Sequence, residues 1–126
     1  MNNDIVLKKC AKCGAMVEVV KPCTCDNCGI VCCGEQMIEE KTNNKDFSFE
    51  KHLPTYEIKG NKIVVTVNHV MEEQHYIEWI AIKNEQGKQV VFLKPNTTAQ
   101  VEFDLVENAK VFAYCNLHGL WATEVK

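Results

Sequence analysis

The chain has 126 residues, 46% of them hydrophobic and 25% charged, with a formal net charge of -3. This length accommodates one ordinary domain, or a small domain joined to a larger one. The apolar runs are too short to span a bilayer, and the mild acidity offers no basic face for non-specific nucleic-acid binding.

The N-terminal MNNDIVLKK lacks both an uninterrupted apolar stretch and a small-residue cleavage site. No signal peptide is expected, and the cytoplasm is the expected location. The chain carries eight cysteines. In a reducing compartment, clustered thiols more often hold metal than form disulfides; a secreted disulfide scaffold is the competing reading.

Seven of the eight cysteines precede residue 34, and all four histidines follow residue 51. The break falls in the polar residues 38–46 and divides the chain into residues 1–38 and 39–126. The first part is too short to bury an adequate core. Its apolar residues Ile5, Val6, Leu7, Val17, Val19, Val20, Ile30 and Val31 are expected to form only small hairpins. A metal bound to thiolates is the natural staple for such a unit.

In CAKC, Cys10 and Cys13 are spaced to turn both sulfurs toward one ion. A tetrahedral all-thiolate site, suited to zinc or iron, then needs two more ligands from PCTCDNCGIVCCG at residues 22–34. Cys25 and Cys28 would supply a second CxxC pair. The adjacent Cys32 and Cys33 would instead close the site with a distorted angle. With that second choice, Cys23, Cys25 and Cys28 become spare thiols, a competing site or a redox-active pair.

The second part reads as strands throughout. Residues 55–58, 62–67, 76–83, 89–94, 98–105, 110–115 and 120–125 are rich in β-branched and aromatic side chains. Val101, Phe103 and Leu105 alternate with Gln100, Glu102 and Asp104. Turn-forming clusters (KGN, NEQG, KPN, ENA, NLHG) separate the runs. The expected class is mainly β: a small metal-stapled unit followed by an antiparallel sandwich of immunoglobulin-like type.

The histidines are His52 in EKH, His69 and His75 in HVMEEQH, and His118 in CNLH beside Cys115. Cys115 and His118 lie three apart in a turn, able to face one ion. His69 and His75 sit at the ends of a short connection between strands. Four imidazoles and one thiolate exceed what zinc usually takes and suit iron with one position left open.

Several motifs carry a resemblance to a known family. KKCAKCGAMVEVV followed by VCCGEQM resembles desulforedoxin and the N-terminal domain of desulfoferrodoxins. EKH, HVMEEQH, IEWI, FLKP and YCNLHG, in that order, resemble the catalytic domain of superoxide reductase. Together they cover almost the whole chain and point to a two-iron desulfoferrodoxin. The departures are KPCTCDNCG in place of a glycine-rich loop and Val70 where proline is common.

The resemblance implies that Cys10, Cys13, Cys32 and Cys33 hold one iron, or zinc, in a closed structural or electron-carrying site. It implies a second iron bound by His52, His69, His75 and His118, with Cys115 axial and the opposite position open to superoxide. Lys51 would steer the anion and stabilise the bound product, and Glu50 would ligate the oxidised iron. Amides around Asn116, Leu117 and His118 are expected to hydrogen-bond the Cys115 sulfur and tune the iron. The implied reaction reduces superoxide to hydrogen peroxide with electrons from a rubredoxin-like protein or a flavoprotein reductase, in a homodimer. A non-catalytic iron- or zinc-binding electron-transfer protein is the alternative.

Overall fold

Short strands and tight turns make up the regular structure of the chain, and no helix forms among the described residues. The computed structural model describes residues 3–25, 29–47 and 51–126. They divide into two units, residues 5–40 and residues 41–126 with Asn3 and Asp4.

In the smaller unit, β1 (Leu7–Lys9) lies between β2 (Met16–Glu18) and β5 (Ile38–Glu39) in an antiparallel sheet. A second hairpin joins β3 (Val31–Cys32) to β4 (Glu35–Gln36). Its two turn residues, Cys33 and Gly34, have φ of 54° and 78°. Positive φ at both central positions is the type I′ pattern that matches the twist of a two-residue hairpin. Of the eight apolar residues expected to build these hairpins, only Ile5 and Leu7 are buried, while Val20 and Val31 are 90% and 62% exposed.

The larger unit consists of β6 (Thr55–Lys59), β7 (Lys62–Thr66), β8 (Ile77–Asn84), β9 (Gly87–Phe92), β10 (Gln100–Asp104), β11 (Lys110–Cys115) and β12 (Gly119–Glu124). They form one sheet in the order β10-β7-β6 and another in the order β12-β11-β8-β9, antiparallel throughout. Seven strands stand where the sequence predicts them, with small shifts at the ends. β8 begins at Ile77 because the Tyr76 N–H is donated to Asn116 Oδ1 at 3.0 Å. β9 begins early because Asn84 Oδ1 accepts the N–H groups of Gln86 and Gly87, which folds the chain back after two residues.

The core follows from the two-residue period of the strands. Ile63 and Val65 of β7, Val101 and Phe103 of β10, Ile80 and Ile82 of β8, and Val111, Ala113 and Cys115 of β11 share one cluster. Leu105, expected to continue the β10 row, lies beyond the strand end and is 36% exposed. Ile63, fully buried between Ile58 and Phe103 in register, tests this packing. Ile63→Ala is expected to lower unfolding free energy by about 3 kcal/mol in urea titration; a change near zero would refute its place in the core.

Cys115 ends the inward-facing row of β11. Against β8 the register shifts between Tyr114 and Cys115, so that Cys115 opposes Ile77. Such an irregularity re-aims a side chain at a sheet edge. Here it leaves the thiol at the end of the core, where the connecting loops meet.

Candidate metal centres

Two groups of potential ligands form among the described residues: Cys10, Cys13, Cys32 and Cys33, and His52, His69, His75, Cys115 and His118. Within each group the donor atoms all lie within 4.8 Å of one another.

The thiol group joins the turn after β1 to the β3–β4 hairpin. Cys10 N–H donates to the Ala15 carbonyl and Gly14 N–H to the Cys10 carbonyl, closing a tight loop with Gly14 at φ 79°. That loop presents Cys10 and Cys13 together, and the Cys13 N–H donates to Cys10 Sγ at 3.5 Å. From the other side, Cys32 Sγ lies 3.7 Å from Cys13 Sγ and 4.0 Å from Cys33 Sγ. Metal–sulfur bonds of about 2.3 Å in a tetrahedron put sulfurs about 3.8 Å apart, so the donor set and spacing fit one ion.

The electrostatics follow from the same contacts. The Cys13 N–H beside its sulfur is the main cause bringing the Cys10 thiol down to about 7. Sharing with Cys13 and Cys10 pushes Cys32 up to about 12 and raises Cys33. Cys10 therefore gives up its proton more readily than Cys32 or Cys33, and protons leave the group as metal enters. Cys25 is a free, exposed thiol outside this group. Cys23 is disulfide-bonded rather than spare, and Cys28 lies outside the described residues.

The second group collects side chains from three separate loops. His52 precedes β6, His69 and His75 lie in the β7–β8 connection, and Cys115 and His118 bracket the β11–β12 turn. His52 Nε2 and His118 Nδ1 face each other at 2.9 Å. Cys115 Sγ lies 3.5 Å from His69 Nε2 and 3.9 Å from His118 Nδ1. His69 Nδ1–H donates to the Val70 carbonyl at 2.6 Å, which fixes the tautomer and leaves Nε2 facing the cluster, as metal-bound histidines are usually held. His75 Nε2 is buried without a hydrogen-bond partner. An orphaned imidazole nitrogen is costly, and it is satisfied if it binds metal. His118 presents Nδ1 to both His52 and Cys115.

Burial is the first cause lowering His69 and His118 below the ordinary imidazole value, which keeps the lone pairs available to a cation. Burial raises Cys115, while the N–H groups of Leu117 and His118 lower it. Those amides are two of the three residues expected to contact the sulfur. Asn116 contributes differently: its side chain accepts from Tyr76 N–H and donates to the Gln74 carbonyl at 3.0 Å. It thereby ties the Cys115 turn to the loop that carries His75.

A pocket of about 750 Å³ opens on the four imidazoles, and Lys51, Asp46, Glu72 and Val70 line it. Lys51 thus stands at the site, while Glu50 lies outside the described residues. Two aromatic neighbours were not apparent from any motif. Phe47 lies 4.5 Å from the His118 ring, centroid to centroid, and Trp121 stacks on His52. The only sequence clue was proximity, since Trp121 follows His118 by three residues.

The sequence profile described as Desulfoferrodoxin matches residues 44–124. The chain belongs to the desulfoferrodoxin family. It is 41% identical to a desulfoferrodoxin homolog from Archaeoglobus fulgidus over 117 residues, 90% of this chain and 91% of that one. It is also 41% identical to the desulfoferrodoxin of Nitratidesulfovibrio vulgaris, covering 98% of this chain and 99% of that one. A family relative named superoxide reductase, from Pyrococcus horikoshii, is 31% identical over 71% of this chain and 98% of its own length. Among solved structures, the superoxide reductase from Treponema pallidum matches the fold with a TM-score of 0.74 at 24% identity, covering 98% of this chain and 99% of that one.

Proposed function

We propose that the chain is a superoxide reductase that binds iron at both centres and carries out its chemistry at the His–Cys centre. The convergence of four imidazoles and one thiol on a single point beside an open pocket carries this reading. His52, His69, His75, His118 and Cys115 would hold the catalytic iron, and Cys10, Cys13, Cys32 and Cys33 would hold the other. Bound at the first of these, ferrous iron would supply the one electron that, with two protons, converts superoxide to hydrogen peroxide.

The chain's own groups account for the rest. Cys115, buried and contacted by backbone N–H groups, brings a thiolate whose electron density tunes the metal. The imidazoles are neutral ligands, so the centre keeps positive charge for an anionic substrate. Lys51 adds a cation at the pocket on a chain of net charge -3, which offsets the general repulsion of an anion. Glu50, next to Lys51 in the sequence, is proposed as a further residue that would hold the oxidised iron. The all-thiolate centre has no place for substrate, so it serves the smaller unit as a staple and electron carrier. A small one-electron protein of rubredoxin type is the proposed donor to a cytoplasmic homodimer.

The reading is tested by pulse-generated superoxide mixed with iron-loaded, reduced protein. Stoichiometric peroxide with loss of superoxide is expected, and no superoxide-dependent oxidation of the His–Cys centre would refute the activity. In the same assay Lys51→Ala should slow the second-order step about tenfold at low ionic strength and flatten its salt dependence. Equal rates and equal salt slopes in the two proteins would refute the steering role.

A further inference from the structure

We propose that Trp121 is a positioning residue that sets the directions of two ligands of the His–Cys centre, His52 and His118. This rests on the reading of that cluster as a metal centre. Trp121 is fully buried and lies on β12 opposite Ala113 of β11. Its side chain makes two separable contacts. The indole face lies against the His52 imidazole, with ring centroids 4.8 Å apart and planes 13° from parallel. The indole Nε1–H donates to the His118 carbonyl at 3.1 Å. His52 and His118 are 66 residues apart in the chain, and one rigid side chain connects them.

Each contact restrains a different degree of freedom. The lone pair of an imidazole nitrogen lies in the ring plane, and rotation about the terminal torsion of histidine is soft. Packing the His52 ring flat on the indole fixes that plane. Its Nε2 then points edge-on at His118 Nδ1, 2.9 Å away, with the two rings 87° apart. His118 presents Nδ1, the ring nitrogen nearer the backbone, so a shift of its peptide moves the donor atom almost directly. The indole N–H holds the carbonyl of that peptide in a turn where Gly119 takes φ 86°. A tryptophan serving only as core volume would need neither the near-parallel stack nor the hydrogen bond.

The two contacts can be removed stepwise. Trp121→Phe keeps an aromatic face and deletes the N–H; Trp121→Leu deletes both. Full-length protein is loaded anaerobically with ferrous ion and challenged with a chelator, and the thiolate-to-iron band is recorded after oxidation. Because groups that orient metal ligands typically affect affinity by about 10- to 100-fold, iron should leave the His–Cys centre about tenfold faster in Trp121→Phe. In Trp121→Leu it should leave about 100-fold faster. The band should move in both, and the all-thiolate centre should keep its iron. Phe112→Leu, a buried aromatic on β11, controls for lost core volume and should lower stability without moving band or release rate. If unaltered protein forms no band at this centre, the metal-centre reading falls and this role with it. If unaltered protein forms the band and both variants match it in wavelength and release rate, the positioning role alone is overturned. Should Trp121→Leu fail to fold, Trp121→Phe decides, since the role requires the N–H.

Discussion

Cys115→Ala is expected to erase the visible thiolate-to-metal absorption of the His–Cys centre and to end superoxide reduction, while the all-thiolate centre keeps its own band. Cys115 contributes the one sulfur in that group, so no other donor there can produce such a band. Its position is determined by the fold. It closes the inward row of β11, fully buried, and the register shift against β8 turns it toward His69 and His118. Removing one buried sulfur leaves a small cavity at a strand end, a cost of about 1 kcal/mol. The sandwich should therefore still fold, with its urea midpoint only slightly lowered. Loss of activity then reports lost chemistry rather than unfolding. A surviving band in folded Cys115→Ala would overturn the assignment of the thiolate.

The strands of the sandwich were legible because each reports locally on its own surroundings. Val101 and Phe103 are buried while Gln100, Glu102 and Asp104 are exposed, and a period of two records that directly. Strand ends were less legible, because a side chain distant in sequence decides them, as Asn116 does at Tyr76. The same division runs through the two centres. CNLH and HVMEEQH mark residue types able to bind metal, yet spacing cannot say which ring nitrogen faces inward; the Val70 carbonyl decides that for His69. Spacing also left Cys25–Cys28 and Cys32–Cys33 open as partners of the CxxC loop. Positive φ at Cys33 and Gly34 folds a turn that brings Cys32 and Cys33 to Cys10 and Cys13, while Cys28 lies outside the described residues. Trp121 was marked only by its place three residues after His118, since a stacked ring and one hydrogen bond leave no periodic trace in sequence. Compartment reasoning did not anticipate the Cys23 disulfide, although a redox-active pair was one of the readings left open for Cys23, Cys25 and Cys28.

Cys10→Ser is expected to unfold the smaller unit and leave the larger one intact. Cys10 is 2% exposed, the most buried of its four-thiol group, and its sulfur takes the Cys13 N–H. Apart from the Cys23 disulfide, little else stabilises the described part of residues 5–40. Ile5, Leu7 and Met37 are its buried large hydrophobics, each worth about 1.5–3 kcal/mol, against the ordering of a chain whose strands are two or three residues long. A structural four-ligand metal contributes about 10–16 kcal/mol to folding in comparable small units. Ion binding therefore dominates the balance, and losing one ligand reverses it. Hydrogen exchange should show protection lost at Leu7–Lys9, Met16–Glu18 and Ile38–Glu39, with the inner strands Lys62–Thr66 and Lys110–Cys115 still protected. Chelation of the unaltered protein should reproduce this pattern. Acid should as well, because the thiols regain their protons as pH falls and compete with the metal. The band of the His–Cys centre should persist in Cys10→Ser. Retained protection across β1, β2 and β5 in the metal-free protein would show instead that the apolar residues suffice to hold the unit together.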